Sequence, residues 1–299
     1  MRLKAPPPQM QLRPPSPTLI RASAVRYTVF RVGACLAAVG VLACLAASCM
    51  AWRRGTEPDP LARDLVEVDR LYALRVSEAS LRESNDLAAN LLITHGPSQE
   101  IHWRLARGLE ALVYGHAPSE ELLHVEAMEW GRKCLDANPA WVSQTRLAGK
   151  VTRRSAQRLV ESDLRCLEAL LVPWIRRVEI RGVSAAIDLE PLGVLATRAL
   201  ELDAEGVGWT PPWAQAMVLG LKVAPSRADV DEALALFVLS EQREPELATP
   251  HVDALALQRR MGTLGQGPTL THPVHASHPW SLENRRAVER QLALMEARP

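Results

Sequence analysis

The sequence has few lysines, phenylalanines and tyrosines, and almost no net charge. Only four of its 35 basic residues are lysine, phenylalanine occurs twice and tyrosine three times, and the formal net charge is +1. Proteins bind nucleic acids through a concentrated excess of Lys and Arg, which the mixed charges after residue 57 do not provide. The balance of charge therefore argues against a nucleic-acid partner.

Sequence signatures of catalysis and of metal binding are also missing. The patterns HExxH, GxSxG, GxxxxGK(S/T) and GxGxxG do not occur, and no two cysteines are spaced as CxxC. His272, His275 and His278 recur every third residue, but no Cys, Asp or Glu lies among them, which favours a solvated linker over a metal site. Glu120 and His124 lie one helical turn apart and are interpreted as a surface pair. We therefore expect no enzymatic activity, no cofactor and no metal.

The five cysteines form no disulfide framework. Cys35, Cys44 and Cys49 lie within one apolar run, and Cys134 and Cys166 lie far beyond it. We expect the last two to be buried thiols. A single bridge between them, in an oxidising compartment, is the alternative.

What the sequence does contain is a helical pattern. Stretches rich in Ala, Leu, Glu and Arg dominate, and apolar residues recur at spacings of three and four from Leu61 through Leu65 and Val68. Breaks such as HGPS (95–98), ANPAW (137–141), EGVGWTPPW (205–213) and APS (224–226) divide the chain into eight to eleven helices. No stretch alternates as a strand does, so the pattern predicts an all-α fold.

The first sixty residues differ from the rest. Residues 1–31 carry six basic residues, six prolines and no acidic residue, which predicts a disordered basic leader. Residues 32–52 carry no charge, and as a helix they would extend about 31 Å, enough to cross a bilayer. More basic residues precede this run than follow it, so the amino terminus is expected in the cytoplasm and the remainder outside.

The fate of the apolar run stays open. In LAASC, small residues precede Cys49 as in a bacterial lipoprotein signal, although the leucine lies one position too early. Cys49 is therefore the candidate for lipidation, and the alternatives are an uncleaved signal anchor and ordinary cleavage. Each of the three places the remaining chain on the periplasmic side of a bacterial cell envelope, and the first two tether it to the membrane.

Two segments share a spacing of small residues that ends at a proline. The positions are Ala127, Gly131, Cys134 and Pro139 in the first segment and Ala233, Phe237, Ser240 and Pro245 in the second. Small residues let one helix of a pair approach the other closely, and proline ends the helix. Weaker matches to the same spacing end at Pro97 and Ala204. The last positions of successive segments are further apart than the 34 residues of a regular tetratricopeptide repeat. The pattern predicts divergent helix pairs, with extra helices between residues 141 and 182.

The order of these segments resembles a known family. An amino-terminal signal is followed by DRLYALR, EIHWRLARGLEALVYG, AMEWGRKCLDANP, ATRALELD and DEALALFVLSEQREPEL. This order resembles the T component family of bacterial TRAP transporters over about residues 60–260. The resemblance implies an exported all-helical lipoprotein with tetratricopeptide-like helix pairs. It also implies association with the solute-binding component of the transporter and a cleft or pore for a hydrophobic or organic ligand.

Five residues are candidates for a binding groove. Trp103, Arg104 and Arg107 lie on one predicted helix, and Trp209 and Trp213 lie in a Pro-Pro loop that exposes side chains more readily than a helix interior. The arginines could pair with an anionic ligand, with surface solvation as the alternative. For these three tryptophans core packing is the favoured role, as it is for two further tryptophans at positions 130 and 174, and lining a groove is the alternative.

The sequence therefore predicts five segments: a leader (1–31), a transmembrane or signal helix (32–52), a divergent tetratricopeptide-like solenoid (60–262), a flexible linker (263–280) and a carboxyl-terminal helix (281–299). The predicted function is binding of a small organic ligand or of a protein partner, such as a periplasmic solute-binding protein, as an accessory component of a TRAP-type transporter. The alternative is a tetratricopeptide scaffold for envelope assembly with no small-molecule ligand.

Overall fold

The computed structural model describes residues 59–116, 121–262 and 280–296, and every regular element in these ranges is helical. The prediction of an all-α fold is therefore confirmed. The α-helices are α1 (Pro60–Ala73), α2 (Glu78–His95), α3 (Gln99–His116), α4 (Glu121–Leu135), α5 (Pro139–Ala148), α6 (Arg153–Ala156), α7 (Leu164–Arg181), α8 (Leu189–Leu202), α9 (Thr210–Gly220), α10 (Arg227–Arg243), α11 (Thr249–Arg260) and α12 (Ser281–Glu296). Short 3-10 helices occupy Glu161–Asp163 and Gly182–Asp188.

Several predictions concern other parts of the chain. The leader, the apolar run at 32–52 with Cys49, and the three histidines at 272, 275 and 278 lie outside the described residues. Among the helices that the structure describes, none combines the length and the apolar character that crossing a bilayer requires.

Local chemistry explains where several helices begin. The Asn138 Oδ1 atom accepts hydrogen bonds from the backbone N–H groups of Ala140 and Trp141, both at 3.1 Å, and Pro139 occupies the first turn of α5. Ser226 and Asp229 form a reciprocal capping box at the start of α10. Such caps satisfy backbone N–H groups that have no partner within the helix. The breaks expected near residues 138 and 225 therefore coincide with helix starts.

Most helices pack against the next one along the chain, but α4 packs against α7. The short helices α5 and α6 contact each other, and α6 also contacts α8. α7 contacts α3, α4, α8 and α9, and the largest group of buried apolar residues extends from α4 to α11 around it. α7 is thus the central helix of the described fold.

Helices α4 and α7 approach each other at the level of their backbones. A Cβ atom added to Gly131 would lie 2.7 Å from the Cα atom of Leu170, so no larger residue fits there without a shift of α7. One turn further on, Cys134 and Cys166 form a disulfide with their Cα atoms 5.3 Å apart. The expectation of two free thiols is therefore wrong, because the close approach brings the two cysteines to bonding distance.

The last described helix returns to the first ones. α12 packs against α11 and also contacts α3. The Arg286 guanidinium donates a hydrogen bond of 2.7 Å to the Gly115 carbonyl, and Glu283 forms an ion pair with Arg75. A Cβ atom at Gly115 would lie 2.5 Å from the Leu282 side chain, so glycine is what allows α12 to approach α3.

Candidate functional site

A cavity of about 640 Å³ opens between the helices and is lined by both described tyrosines and four tryptophans. These six residues, which we call the aromatic cleft, are Tyr72, Trp103, Tyr114, Trp209, Trp213 and Trp280. The whole sequence contains eight tryptophans and three tyrosines. A chain that is poor in aromatic residues therefore places six of its ten described aromatic side chains at one cavity.

The residues that line the cavity come from alternate helices. α1, α3, α7, α9 and α11 contribute, together with α12, whereas α2, α4, α8 and α10 do not. Trp209 directly precedes α9 and Trp280 directly precedes α12. Their rings meet edge to face with centroids 6.2 Å apart, and Trp209 meets Trp213 in the same way at 5.6 Å. The three indoles thus form one contiguous wall.

All five candidate groove residues line this cavity. Trp103, Arg104 and Arg107 lie on α3, and Trp209 and Trp213 approach them from more than 100 residues further along the chain. The Pro-Pro loop expected around the last two is wrong, because Pro211 and Pro212 lie in the first turn of α9. Proline is well suited to that position, where the missing N–H would have no partner within the helix.

The two arginines of α3 are held in place by one carboxylate. Asp69 of α1 accepts a hydrogen bond of 2.7 Å from Arg104 Nη2 and one of 2.8 Å from Arg107 Nη2. Both guanidinium groups also lie 4.4 Å from the centroid of Trp103. Surface solvation, the alternative for these arginines, is therefore wrong. Burial alone would raise the pKa of Asp69, but the two arginines outweigh it and lower that pKa.

A buried ionic cluster, which we call the ionic floor, contributes Arg176 and Trp213 to the lining of the cavity. Asp253 of α11 accepts hydrogen bonds from Arg176 Nη2 at 3.0 Å and from Trp213 Nε1 at 2.8 Å. Arg290 of α12 reaches the other carboxylate oxygen at 2.8 Å. The cluster fixes the indole of Trp213 in the cavity wall and joins α7, α9, α11 and α12 at one carboxylate.

A second buried pair lies behind α3. The Glu110 Oε2 atom lies 2.9 Å from His124 Nδ1, and both residues are buried. The interpretation of His124 as part of a surface pair is therefore wrong, and Glu120 lies outside the described residues. The Glu110 Oε1 atom, whose residue also lines the cavity, has no hydrogen-bond partner in the described part of the chain.

Glu168 of α7 is the most perturbed acid of the cavity. Burial in the wall and the nearby Asp203 carboxylate raise its pKa from 4.5 to about 7, against the opposing charge of Arg165. A Cβ atom at Gly208 would lie 3.1 Å from Glu168 Oε1, so glycine makes room for the carboxylate beside Trp209. Acids with strongly shifted pKa values in clefts are frequent at functional sites.

Replacing Glu168 with glutamine is expected to raise the free energy of unfolding at pH 8 by on the order of 1–3 kcal/mol. Above pH 7 the folded protein must hold a poorly solvated carboxylate that the unfolded chain solvates freely. This destabilisation fades as the pH falls from 7 to 4.5, because the folded state then takes up the proton first, so most of the gain should be absent at pH 5.

Urea denaturation of the full-length protein in a mild detergent at both pH values measures this difference. Glu129→Gln is the matched control, because Glu129 is exposed on α4 and lies outside the cavity. Equal effects of the two substitutions at pH 8 would contradict the prediction.

Sequence reasoning identified five of the fourteen charged and aromatic residues that line the cavity and missed the other nine. The missed residues include Tyr72, Tyr114, Arg165, Glu168, Arg176 and Trp280. Glu168 had a detectable signal, because it is the only charged residue between Arg165 and Arg176 in an otherwise apolar stretch. The others are brought to the cavity by contacts between distant helices.

Neither a protein-family model nor a curated protein matches the chain, so the functional interpretation depends on the cavity itself.

Proposed function

We propose that this chain is an exported, membrane-tethered helical-repeat protein that binds a small organic ligand in the aromatic cleft. The observation that carries the proposal is a cavity of about 640 Å³ lined by four tryptophans and two tyrosines. Its size lies in the range of known ligand pockets, roughly 300–1,000 Å³, which are also mostly apolar with a few placed polar groups. Binding proceeds by shape and polarity, without a covalent step.

The finer fold assignment, a divergent tetratricopeptide-like solenoid, is part of this proposal. It is supported by the alternation in which α1, α3, α7 and α9 line the cavity while the helix that follows each of them does not. Stacked helix pairs present one helix each to a concave binding surface in this manner. α5 and α6 are an insertion between the second and third pairs.

Export is supported by two independent features. The basic leader and the apolar run at 32–52 have the form of a signal or anchor, ending at Cys49 if the chain is lipidated. The disulfide between Cys134 and Cys166 suits an oxidising compartment, since such bonds seldom persist in the cytosol. An exported cleft protein of this kind is suited to the role of a TRAP-transporter accessory component, handing its ligand to or from a solute-binding protein.

Filling the cavity is expected to abolish ligand binding. Ala169 lies on α7 in the cavity lining, and a phenylalanine there would occupy part of the space. Full-length protein in a mild detergent would be dialysed against a small-molecule extract of the native bacterium, and enriched compounds would be identified by mass spectrometry. We expect a compound that the native protein enriches and that Ala169→Phe loses by roughly tenfold or more.

The matched control for this experiment is Ile180→Phe, because Ile180 is exposed on the same helix and does not line the aromatic cleft. This variant should enrich the same compound as the native protein. Absence of any enriched compound, or its equal retention by Ala169→Phe, would contradict the proposal.

The alternative function is an envelope scaffold that binds proteins only. It is favoured by exposed apolar residues at the end of α7 and in the 3-10 helix that follows it, namely Ile180, Val183 and Ile187. Contiguous exposed apolar surface is typical of protein interaction sites. In that case Ala169→Phe would leave the recovery of protein partners unchanged, and Ile180→Phe would be the variant that alters it.

A further inference from the structure

Most charged residues that line the aromatic cleft are already paired. Asp69 is bound by Arg104 and Arg107, Glu110 by His124, Arg176 by Asp253, and Glu283 by Arg75. Among the described residues, only Arg165 and Glu168 of the lining form no ion pair, and Glu168 accepts no hydrogen bond. Arg165 is exposed to solvent, whereas Glu168 is mostly buried. Glu168 is therefore the one carboxylate of the described lining that forms no ion pair.

The aromatic rings resemble the charged residues in that all but one of them already have a partner. Five of the six rings of the aromatic cleft have an arginine guanidinium within 6 Å of the ring centroid: Tyr72, Trp103, Tyr114, Trp213 and Trp280. Over Trp209 there is no such cation in the described part of the chain. Indole faces attract cations through the negative charge above the ring.

The vacant ring and the unpaired carboxylate lie next to each other. Trp209 directly follows Gly208, and a Cβ atom at Gly208 would lie 3.1 Å from Glu168 Oε1. The wall beside them includes the indoles of Trp213 and Trp280, both of which contact the Trp209 ring edge to face. A cation placed here would gain both a charge-assisted hydrogen bond to the carboxylate and contact with the indole.

We propose that the ligand of the aromatic cleft carries an ammonium group, which lies between the carboxylate of Glu168 and the ring of Trp209. This inference rests on the proposed ligand-binding function and specifies its chemical class as an organic amine. The remaining apolar part of the ligand contacts the indoles of Trp103, Trp213 and Trp280. The arginines of α3 and α7 that are already paired with carboxylates orient the rings. They have no free charge for the ligand, so the ligand's charged group is the ammonium.

The charges that face Glu168 fit this assignment. Asp203, which directly follows α8, raises the pKa of Glu168 but is itself paired with Arg243. Arg165 on α7, which is exposed, acts in the opposite direction and lowers that pKa. A bound ammonium would stabilise the ionised form of Glu168, whose pKa in the free protein is about 7. Affinity for an amine should therefore weaken as the pH falls below 7, because protons then compete for the carboxylate.

Calorimetric titration of the full-length protein in a mild detergent at pH 8 tests the proposal with three probes that share one apolar body: phenethylamine, 2-phenylethanol and 3-phenylpropionate. The amine should bind roughly ten- to hundredfold more tightly than the alcohol, as expected for a hydrogen bond to a charged group. Glu168→Gln should remove this preference while leaving binding of the alcohol within about twofold. Since this variant is expected to be more stable than the native protein, loss of fold would not explain the result.

The control is the pair Glu129→Gln and Arg132→Gln, because these exposed residues of α4 repeat the three-residue spacing of Arg165 and Glu168 away from the cavity. Both should keep the preference for the amine. The ammonium assignment would be overturned if 3-phenylpropionate or 2-phenylethanol bound as tightly as phenethylamine or more tightly. If that binding were lost in Ala169→Phe, the ligand-binding function would still stand. Failure of all three probes to bind would overturn the assignment, and the dialysis experiment then decides the function separately.

Discussion

Replacing Asp253 with alanine is expected to lower the free energy of unfolding by about 3–5 kcal/mol, the range seen when one partner of a buried ion pair is removed. The Asp253 side chain is only 1% exposed and holds two guanidinium groups and one indole N–H. Without it, Arg176 and Arg290 would be buried close to each other with one carboxylate, Glu179, left between them. The loss of stability therefore has two causes: the arginines stay poorly solvated without a full set of partners, and their charges repel each other.

The same cluster implies a pH dependence at the acid end. Burial alone would raise the pKa of Asp253, but the charges of Arg176 and Arg290 outweigh burial and hold that pKa below its ordinary value of 3.8. A carboxyl whose pKa is lower in the folded than in the unfolded state stabilises the fold above its ordinary pKa. This contribution is lost as the pH falls through the lowered value. The effect of Asp253→Ala should therefore be largest near neutral pH and smaller in acid.

Urea denaturation of the full-length protein at pH 7 measures the loss. Asp231→Ala is the matched control, because Asp231 lies on α10 with 69% of its side chain exposed and forms only a long ion pair of 3.8 Å. Its effect should stay within about 0.5 kcal/mol, as for most surface substitutions. A similar midpoint for Asp253→Ala and Asp231→Ala would show that the ionic floor of the cavity does not stabilise the fold.

Sequence reasoning succeeded where the cause is local. The all-α fold follows from the spacing of apolar residues, and the starts of α5 and α10 follow from caps at Asn138 and Ser226. The error at Pro211 and Pro212 is also local: prolines that were interpreted as a loop begin helix α9, where their missing N–H groups are tolerated. Proline alone does not distinguish a turn from the first turn of a helix.

Residues that depend on long-range contacts were only partly predictable. The five groove candidates were chosen for side-chain chemistry, and the structure places all of them at one cavity. Tyr72 and Trp280 could not be chosen in this way, because they reach the cavity through the ion pairs of Asp69 on α1 with two arginines of α3 and through the packing of α12 against α3. The pairing of Cys134 with Cys166 stayed the alternative to two free thiols for the same reason, since the distance between them is set by the contact of α4 with α7.

Stability and function oppose each other at Glu168. The ionised carboxylate destabilises the empty protein near neutral pH, yet it is the group that a bound ammonium would pair with. Functional sites commonly carry such destabilising groups. The ionic floor around Asp253 and the contact of α4 with α7 supply stability on either side of this residue. A cavity with one poorly solvated charge therefore requires structural support nearby, and the disulfide is one element of it.

Reducing the disulfide between Cys134 and Cys166 is expected to lower the free energy of unfolding by about 3–4 kcal/mol, the chain-entropy value for a closed loop of this length. The two cysteines are separated by 32 residues, and the loop contains α5, α6 and the first residues of α7. Once the bond is broken, the unfolded chain gains the freedom of this loop. The contact of α4 with α7, which includes Gly131, and the hydrogen bond of 2.7 Å from Asn138 Nδ2 to Asp163 Oδ2 then keep the loop closed.

The measurement is the urea midpoint of the full-length protein with and without dithiothreitol, compared with that of the double variant Cys134→Ala/Cys166→Ala. The native protein should lose stability on reduction, whereas the double variant should start near the reduced value and not respond. This comparison excludes any effect of reductant on Cys35, Cys44 and Cys49. Because the bond anchors the helix that carries Glu168, reduction should also weaken binding of phenethylamine. An unchanged midpoint in the native protein would show that the contact of α4 with α7 suffices without the covalent bond.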